Sequence, residues 1–376
     1  MRLQIVVFGL SITSSWGNGH ATTYRALLKA LHKRGHTVTF LEHDVAWYRA
    51  HRDLSEPPYC RTYLYNSLDT VACRHAALVS EADLVIMGSY VPRGSVLGDW
   101  ITTRANGVTA FYDIDTPVTM AALGNGSAEY ISARLIPRFD LYLSFTGGPI
   151  LDHIAAAYGS PRVRPLYCSV DPEQHHPLQS RRKWRLGYIG TYSEDRQARL
   201  TELLVQTARE LPHEQFVVAG ASYPNRLSWP RNIERIEHIA PHLHSEFYCS
   251  QSYTLNITRA NMVQSGFAPS VRLFEAAACG LPIISDRWPG LDSIFVPGEE
   301  ILIADSCAHV VRILQELPEE RRLAIASAVR ARVMREHTAD VRARQLEHYY
   351  QEAVESRTSR VNSRSQLRRP KIGAAV

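Results

Sequence analysis

Ser270-Val-Arg-Leu-Phe-Glu275-Ala-Ala-Ala-Cys279-Gly280-Leu-Pro282-Ile-Ile-Ser285-Asp286 reads as a short helix that stops at a glycine and turns at once into a strand. Pro269 precedes it, so the helix begins at Ser270. The first turn of a helix offers backbone N–H groups without intrahelical acceptors and the positive end of the peptide dipole, a ready anion site. Ser270 can cap the helix or bond a phosphate oxygen, and Arg272 adds a fixed charge with a fork of donors. Glu275 stands one turn further in, where a carboxylate can accept two hydroxyls of a ribose. The alanine run keeps the end of the helix thin enough to pack closely on the strand Pro282–Ser285.

Outward from this segment the chain alternates strands and helices. Trp184–Ile189, Gln215–Ala219, Ile233–Ile236 and Ser252–Ile257 read as further strands, with helix over Arg196–Glu210, Ala308–Arg335 and Asp340–Val354. Gly190 ends the first of these strands and lets backbone come near a ligand. Thr191 follows it, and Arg196 can neutralise a departing anion. Arg259 falls at the carboxyl edge of its sheet, where ligands gather in open α/β folds. The stretch from Pro161 to Pro177 is rich in proline and turn residues and reads as an interdomain linker. Before it lies a second series: Leu3–Gly9, Thr37–Leu41, Asp83–Met87, Val108–Tyr112 and Leu141–Phe145, apolar runs suited to parallel strands buried on both faces. Gly17-Asn18-Gly19-His20 joins the first of these to a helix over Ala21–Arg34. Without a third glycine it is an incomplete dinucleotide fingerprint; His20 can donate to an anion or carry a proton. Asp113 and Asp115 end the strand Val108–Tyr112, and no third acid or histidine near them suggests a metal. The fold class is therefore α/β, two Rossmann-like domains whose parallel sheets face each other across a cleft.

Composition narrows the function classes. The chain has 376 residues, 45% of them hydrophobic, enough for two cored domains. The net charge of +5 comes from Ser356–Val376: removing its six basic residues from the 42 Lys and Arg leaves 36 against 37 Asp and Glu. The body thus makes no electrostatic case for nucleic acid, and the basic segment reads as a disordered tail able at most to touch anionic lipid or polymer weakly. Six cysteines without a C-x-x-C pair point to reduced thiols in a cytoplasmic protein, with no zinc-ligand spacing. His238, His242 and His244 lack a neighbouring acid or cysteine to complete a metal set, so no metal is assigned; His238 follows a strand and can stack on a base.

Glu275-Ala-x-Ala-Cys279-Gly280-x-Pro282 resembles the Glu-Ala-x-Ala-x-Gly-x-Pro-Val signature of family-4 retaining glycosyltransferases of the GT-B fold. The longer phrase from Pro269 through Glu275, with Asp286-x-Trp288-x-Gly290-Leu291 and Pro297-Gly-Glu-Glu300, is most similar to the spore-maturation CgeB-like glycosyltransferase branch. The resemblance implies a GT-B hexosyltransferase of bacterial polysaccharide or glycoconjugate synthesis. It would transfer a sugar with retention from a nucleotide diphosphate donor, without cofactor or metal, to a small-molecule, glycan or glycoconjugate acceptor. Glu275 would hold the donor ribose and the backbone around Ser270 and Val271 the diphosphate. Gly190, Thr191, His238, Arg259 and Arg272 complete the donor side. Asp113, Asp115 and Arg196 are the catalytic candidates, with Gly17, Asn18, Gly19, His20 and Phe267 on the acceptor side. This sequence departs from the family pattern twice. Phe267 stands eight residues before Glu275, where the family has a second glutamate, and Thr191 replaces the arginine after Gly190, with Arg196 at the family's lysine position. The expected organisation is an acceptor-side domain over 1–165, a nucleotide-sugar domain over 166–340, a helix over 341–355 returning to the first domain, and the tail 356–376. A nucleotide-sugar epimerase of the same shape, a nicotinamide oxidoreductase and a non-catalytic GT-B-like surface or coat protein are the competing readings.

Overall fold

The computed structural model describes residues 1–367. The first lobe is a sheet of seven parallel strands: β1 (Gln4–Gly9), β2 (Thr37–His43), β3 (Arg61–Tyr65), β4 (Leu84–Gly88), β5 (Val108–Asp113), β6 (Leu141–Ser144) and β7 (Val163–Pro165). Their spatial order is β3-β2-β1-β4-β5-β6-β7. The second lobe is a sheet of six: β8 (Trp184–Ile189), β9 (Phe216–Ala219), β10 (Ile233–Ile236), β11 (Gln251–Asn256), β12 (Ile283–Ser285) and β13 (Leu302–Ile303), in the order β10-β9-β8-β11-β12-β13. Every pairing is parallel, for example Ile5 beside Val38 and Thr254 beside Ile283. Helices cover both faces, which is why β4, β5 and β11 are buried along their whole length.

In both sheets the order reverses beside the first strand, between β1 and β4 and between β8 and β11. A crevice opens at such a switch point, outside the carboxyl ends of the strands. The two crevices face each other and form one cleft.

Three strands were not foreseen. β3 is an edge strand with a largely exposed face, β13 is two residues long, and β7 falls inside the stretch read as linker. The helical stretch Ala308–Arg335 is two helices, Cys307–Glu316 and Glu319–Glu336, parted at Pro318, whose ring cannot continue a helix. The last helix runs from Ala339 to Leu367, longer than Asp340–Val354. It crosses to the first lobe, where Ala343, Leu346, Tyr349 and Ala353 join the core around the helix Gly19–Lys33. Arg34 grips Glu347 through two hydrogen bonds of 2.9 and 2.8 Å. The first part of the segment read as a disordered tail is thus helical. Arg357 is occupied by the carbonyls of Asn106 and Gly107 and by Asp140. Arg368, Arg369 and Lys371 lie outside the described residues. No helix among the described residues is long and apolar enough to cross a membrane.

The lobes also meet at Phe267. Its carbonyl accepts from Gly147 N at 2.9 Å, and its own N–H donates to Pro289 O at 2.7 Å. Its φ of 52° is left-handed, uncommon for a bulky residue. The ring fills the space that a side chain on Gly148 or Gly290 would need. Gly148 has φ 68° and ψ −154°, a conformation essentially reserved for glycine, and a Cβ there would sit 2.3 Å from the Phe267 ring. Gly148→Ala is therefore expected to cost about 1–3 kcal/mol of stability, read as a lowered midpoint in urea unfolding. An unchanged midpoint would mean that this junction is slack.

Candidate functional site

A cavity of about 390 Å³ occupies the cleft. Most of its lining follows the carboxyl ends of strands: Ser15, Gly17, Asn18, Gly19 and His20 after β1, Ile114 and Asp115 after β5, Gly190 and Thr191 after β8, Gly220 and Ala221 after β9, Glu237, His238 and Ile239 after β10, and Arg259 after β11. Another wall is the start of the helix Val271–Ala278, with Pro269, Ser270, Val271, Arg272 and Glu275.

The helix start leaves its first amides open. Ser270 makes no side-chain cap; its hydroxyl donates instead to Asn256 Oδ1 at 2.8 Å. Val271 and Arg272, in the first turn, have no intrahelical acceptor for their N–H groups. Arg272 is buried, bonded to the Ile189 carbonyl and to Asn256 Oδ1, and lies 4.8 Å from the centre of the Tyr188 ring. Gly190 makes room for it: a Cβ there would meet Arg272 Nη2 at 2.8 Å. The close approach at Gly190 is thus made by side chains of the protein itself, those of Tyr188 and Arg272. Gly220, absent from the sequence reading, is required too, because a Cβ on it would fall 2.0 Å from Gly190 O.

Arg196 reaches the same wall from the first turn of the helix Glu194–Leu200, which follows the loop after β8, and donates to Thr191 O at 2.7 Å. Burial lowers its pKa, and the charges of Arg272 and Arg259 add to that. Among the described residues neither Arg196 nor Arg272 makes an ion pair, and only Arg259 finds carboxylates, Asp115 at 3.5 Å and Asp195 at 3.7 Å. Guanidinium groups without matching acids can take an anion.

Glu275 is buried, with Tyr248 donating to Oε2 at 3.0 Å. Two histidines flank it: His175 Nε2 is 3.7 Å from Oε1 and His244 Nδ1 is 4.0 Å from Oε2. The sequence reading missed His175, which lies in the proline-rich connection, and set His244 aside for want of an acid nearby in the chain. The fold supplies that acid from a helix more than thirty residues further on. His238 lines the cavity, its ring 4.6 Å from that of Trp16, which in turn stacks on His51 at 4.6 Å.

On the opposite wall the loop after β1 is held from behind by Glu42, which is wholly buried. Its carboxylate accepts from Ser11 Oγ, from the backbone of Ile12 and Thr13, and from Thr13 Oγ1. Asn18 caps the helix that follows, accepting from His20 N. A side chain on Gly17 or Gly19 would meet nothing within 4 Å. His20 stacks on Tyr90 at 5.6 Å. Burial, helped by Arg259, pushes its pKa down to about 4, so the ring is neutral at pH 7, and its Nδ1 has no partner.

Asp113 does not face the cleft, against expectation. It is the last residue of β5 and wholly buried, accepting from Tyr142 Oη at 2.5 Å, Thr119 Oγ1 at 2.7 Å and Asp115 N at 3.3 Å. Burial raises its pKa to about 6. The strand ends at Asp113, so the alternation that would have pointed both acids the same way stops, and Asp115 alone turns into the cavity. Tyr90 Oη donates to Asp115 Oδ2 at 2.8 Å, while the buried Oδ1 has no partner. Phe267 is likewise displaced from the acceptor side: it forms the interlobe junction and does not line the cavity.

Two facing parallel sheets with a ligand-sized cleft at their switch points define the GT-B fold, and solved structures of that fold match nearly the whole chain. Sucrose-phosphate synthase from Thermosynechococcus elongatus has a TM-score of 0.70 at 14% identity, covering 94% of this chain and 99% of its own. HepE of Anabaena, in complex with UDP and glucose, has a TM-score of 0.68 at 12% identity, covering 94% and 100%. An alpha-glucosyltransferase in complex with UDP-glucose and DNA containing an abasic site has a TM-score of 0.67 at 11% identity, covering 93% and 100%. A family model described as glycosyl transferase-like matches residues 196–348, the part that carries Arg196, Arg259 and the helix with Glu275. No curated protein matches the sequence.

Proposed function

We propose that the chain is a glycosyltransferase that takes a hexose from a nucleoside diphosphate donor and passes it to an acceptor hydroxyl. One observation carries this reading: Arg196 and Arg272, without ion-pair partners, line the cavity beside the open amides of Val271 and Arg272. That is a diphosphate-shaped gap. Glu275, one turn further on, is placed to accept the ribose hydroxyls, and His238 offers a ring to the base. UDP is the nucleotide in the HepE and alpha-glucosyltransferase complexes, and it is the first probe for this chain.

In this reading the bond between the anomeric carbon and the diphosphate oxygen breaks as the acceptor oxygen bonds to that carbon. Negative charge grows on the departing diphosphate, where the guanidinium groups and helix amides stabilise it without reorganising. These fixed charges can carry the step without a metal. Retention follows if the acceptor attacks from the face the diphosphate leaves and the leaving oxygen takes the acceptor proton. Asp115 Oδ1, across the cleft, is placed to accept a hydroxyl of the transferred sugar or of the acceptor. A glycan or glycoconjugate acceptor, membership of the CgeB-like branch, a cytoplasmic setting and weak contact of the basic end with anionic surfaces belong to the same proposal.

A thermal-shift panel of UDP, GDP, ADP and their glucose, galactose and mannose conjugates tests it. Stabilisation by one nucleoside diphosphate is the expected result; a flat panel would count against the assignment. Within the cleft, Asp115→Asn is expected to lower kcat by about 10-fold or more while leaving UDP affinity and stability unchanged, since it removes one charged hydrogen bond to a hydroxyl. Asp113→Asn is expected to lower stability while the residual folded enzyme turns over normally. The opposite pattern would restore Asp113 to the site.

A further inference from the structure

His175, His244 and Glu275 have one use that sugar transfer does not draw on. Their ligand atoms all lie within 4.8 Å of one another. His175 is fully buried in its side chain, and among the described residues neither ring nitrogen has a hydrogen-bond partner. A polar group so placed costs free energy unless something binds it. For His244 the tautomer is fixed by its neighbour: Nε2 lies 3.2 Å from the Ile239 carbonyl, which can only accept, so Nε2 carries the proton. In the neutral ring the lone pair is then on Nδ1, directed at the Glu275 carboxylate 4.0 Å away. That nitrogen and the carboxylate thus present lone pairs to a shared point. A ring nitrogen bonded behind to a backbone carbonyl, its lone pair aimed at a shared point with a carboxylate, is how metal-bound histidines are oriented.

We propose that His175 Nε2, His244 Nδ1 and Glu275 form a site for a zinc ion that shuts the donor pocket. Two imidazoles and a carboxylate suit zinc, which accepts three protein ligands and leaves a fourth position open, whereas magnesium and calcium require oxygen donors. Both His244 and Glu275 line the cavity, which gives the ion a route in and turns the open position toward the cleft. Arg272 is hydrogen-bonded to Ile189 and Asn256 and makes no ion pair with Glu275 among the described residues. Because the ion takes the carboxylate assigned to the ribose, metal and nucleotide exclude each other. That competition rests on the donor assignment above; the metal site itself does not.

The test is calorimetric titration of metal-stripped full-length protein with zinc chloride, in parallel with His175→Ala and His244→Ala. Circular dichroism establishes that each variant is folded. One zinc per chain is expected, weakened by more than about 10-fold in each variant, with cobalt(II) giving the intense visible absorption of a four-coordinate site. No zinc binding, or binding that both variants retain unchanged, would overturn the site. UDP affinity is then measured at buffered free zinc, so that chelation by the diphosphate is not mistaken for competition. Zinc is expected to weaken UDP binding by about 10-fold or more in the parent protein and not in His175→Ala. Equal UDP affinity with and without zinc, in protein shown to hold the ion, would overturn the competition. Failure of UDP to bind the zinc-free protein would instead count against the donor reading and leave the stoichiometry to judge the metal site.

Discussion

Arg196→Ala is expected to lower kcat for sugar transfer by about 100- to 1000-fold, the loss typical of removing one preorganised donor from a site of developing negative charge. The residue is well suited to this test. Its hydrogen bond is to the carbonyl of Thr191, it anchors no other element, and it lines the cavity without an acidic partner. Its removal should therefore leave the unfolding midpoint in place. Arg272 has the stronger claim by position but is the poorer probe, because it also ties β8 to β11 through Ile189 and Asn256. Arg196→Lys should recover part of the rate, since a point charge replaces the fork of donors. Steady-state kinetics would check this: a fall in kcat larger than the accompanying rise in donor KM marks an interaction that strengthens in the transition state. A change in KM alone would place Arg196 in ground-state binding.

Glu275→Ala is expected to weaken UDP binding by about 100-fold or more. A hydrogen bond to a charged group contributes about 1.5–3 kcal/mol, and two ribose hydroxyls bonded to one carboxylate lose both. The folded state should not suffer in proportion. Glu275 is a buried carboxylate with one hydroxyl donor, Tyr248, and with no arginine or lysine paired to it. Burial works against the charge, but His175, His244, Tyr248 and Arg272 together hold the Glu275 pKa below the usual carboxylate range, so the variant loses only the small balance between these opposing effects. The signature is thus a large fall in calorimetric affinity at a nearly constant unfolding midpoint. Glu275→Gln, which keeps one acceptor, should lie between the two. Loss of affinity together with global unfolding would mean that the carboxylate is structural.

The fold was legible because its strands are buried on both faces, and such strands are written as continuous apolar runs. β4 and β5 could be read directly, and β8 and β10 matched residue for residue. What escaped was what periodicity does not encode. β3 is half exposed, β13 is two residues long, and β7 sits among prolines that looked like linker. In the site, Glu275, Ser270 and Arg272 stood together in one phrase and could be read as a unit. The sequence reading prefers Asp113 and keeps Asp115 as the alternate, and the structure reverses the order, because which acid faces the cleft depends on the residue at which β5 ends. His175 was invisible: it is joined to Glu275 only by the way the connection folds back under the helix. Phe267 looked like a cleft residue by alignment with a family glutamate. Its left-handed backbone instead carries the ring between Gly148 and Gly290, and no local pattern announces that.

A crystal of this chain soaked with UDP tests the central claim most directly. The account predicts a diphosphate on the amides of Val271 and Arg272 between the Arg196 and Arg272 guanidinium groups, with both ribose hydroxyls on Glu275. Nucleotide bound instead against the loop Gly17–His20, with the helix start left open, would contradict it.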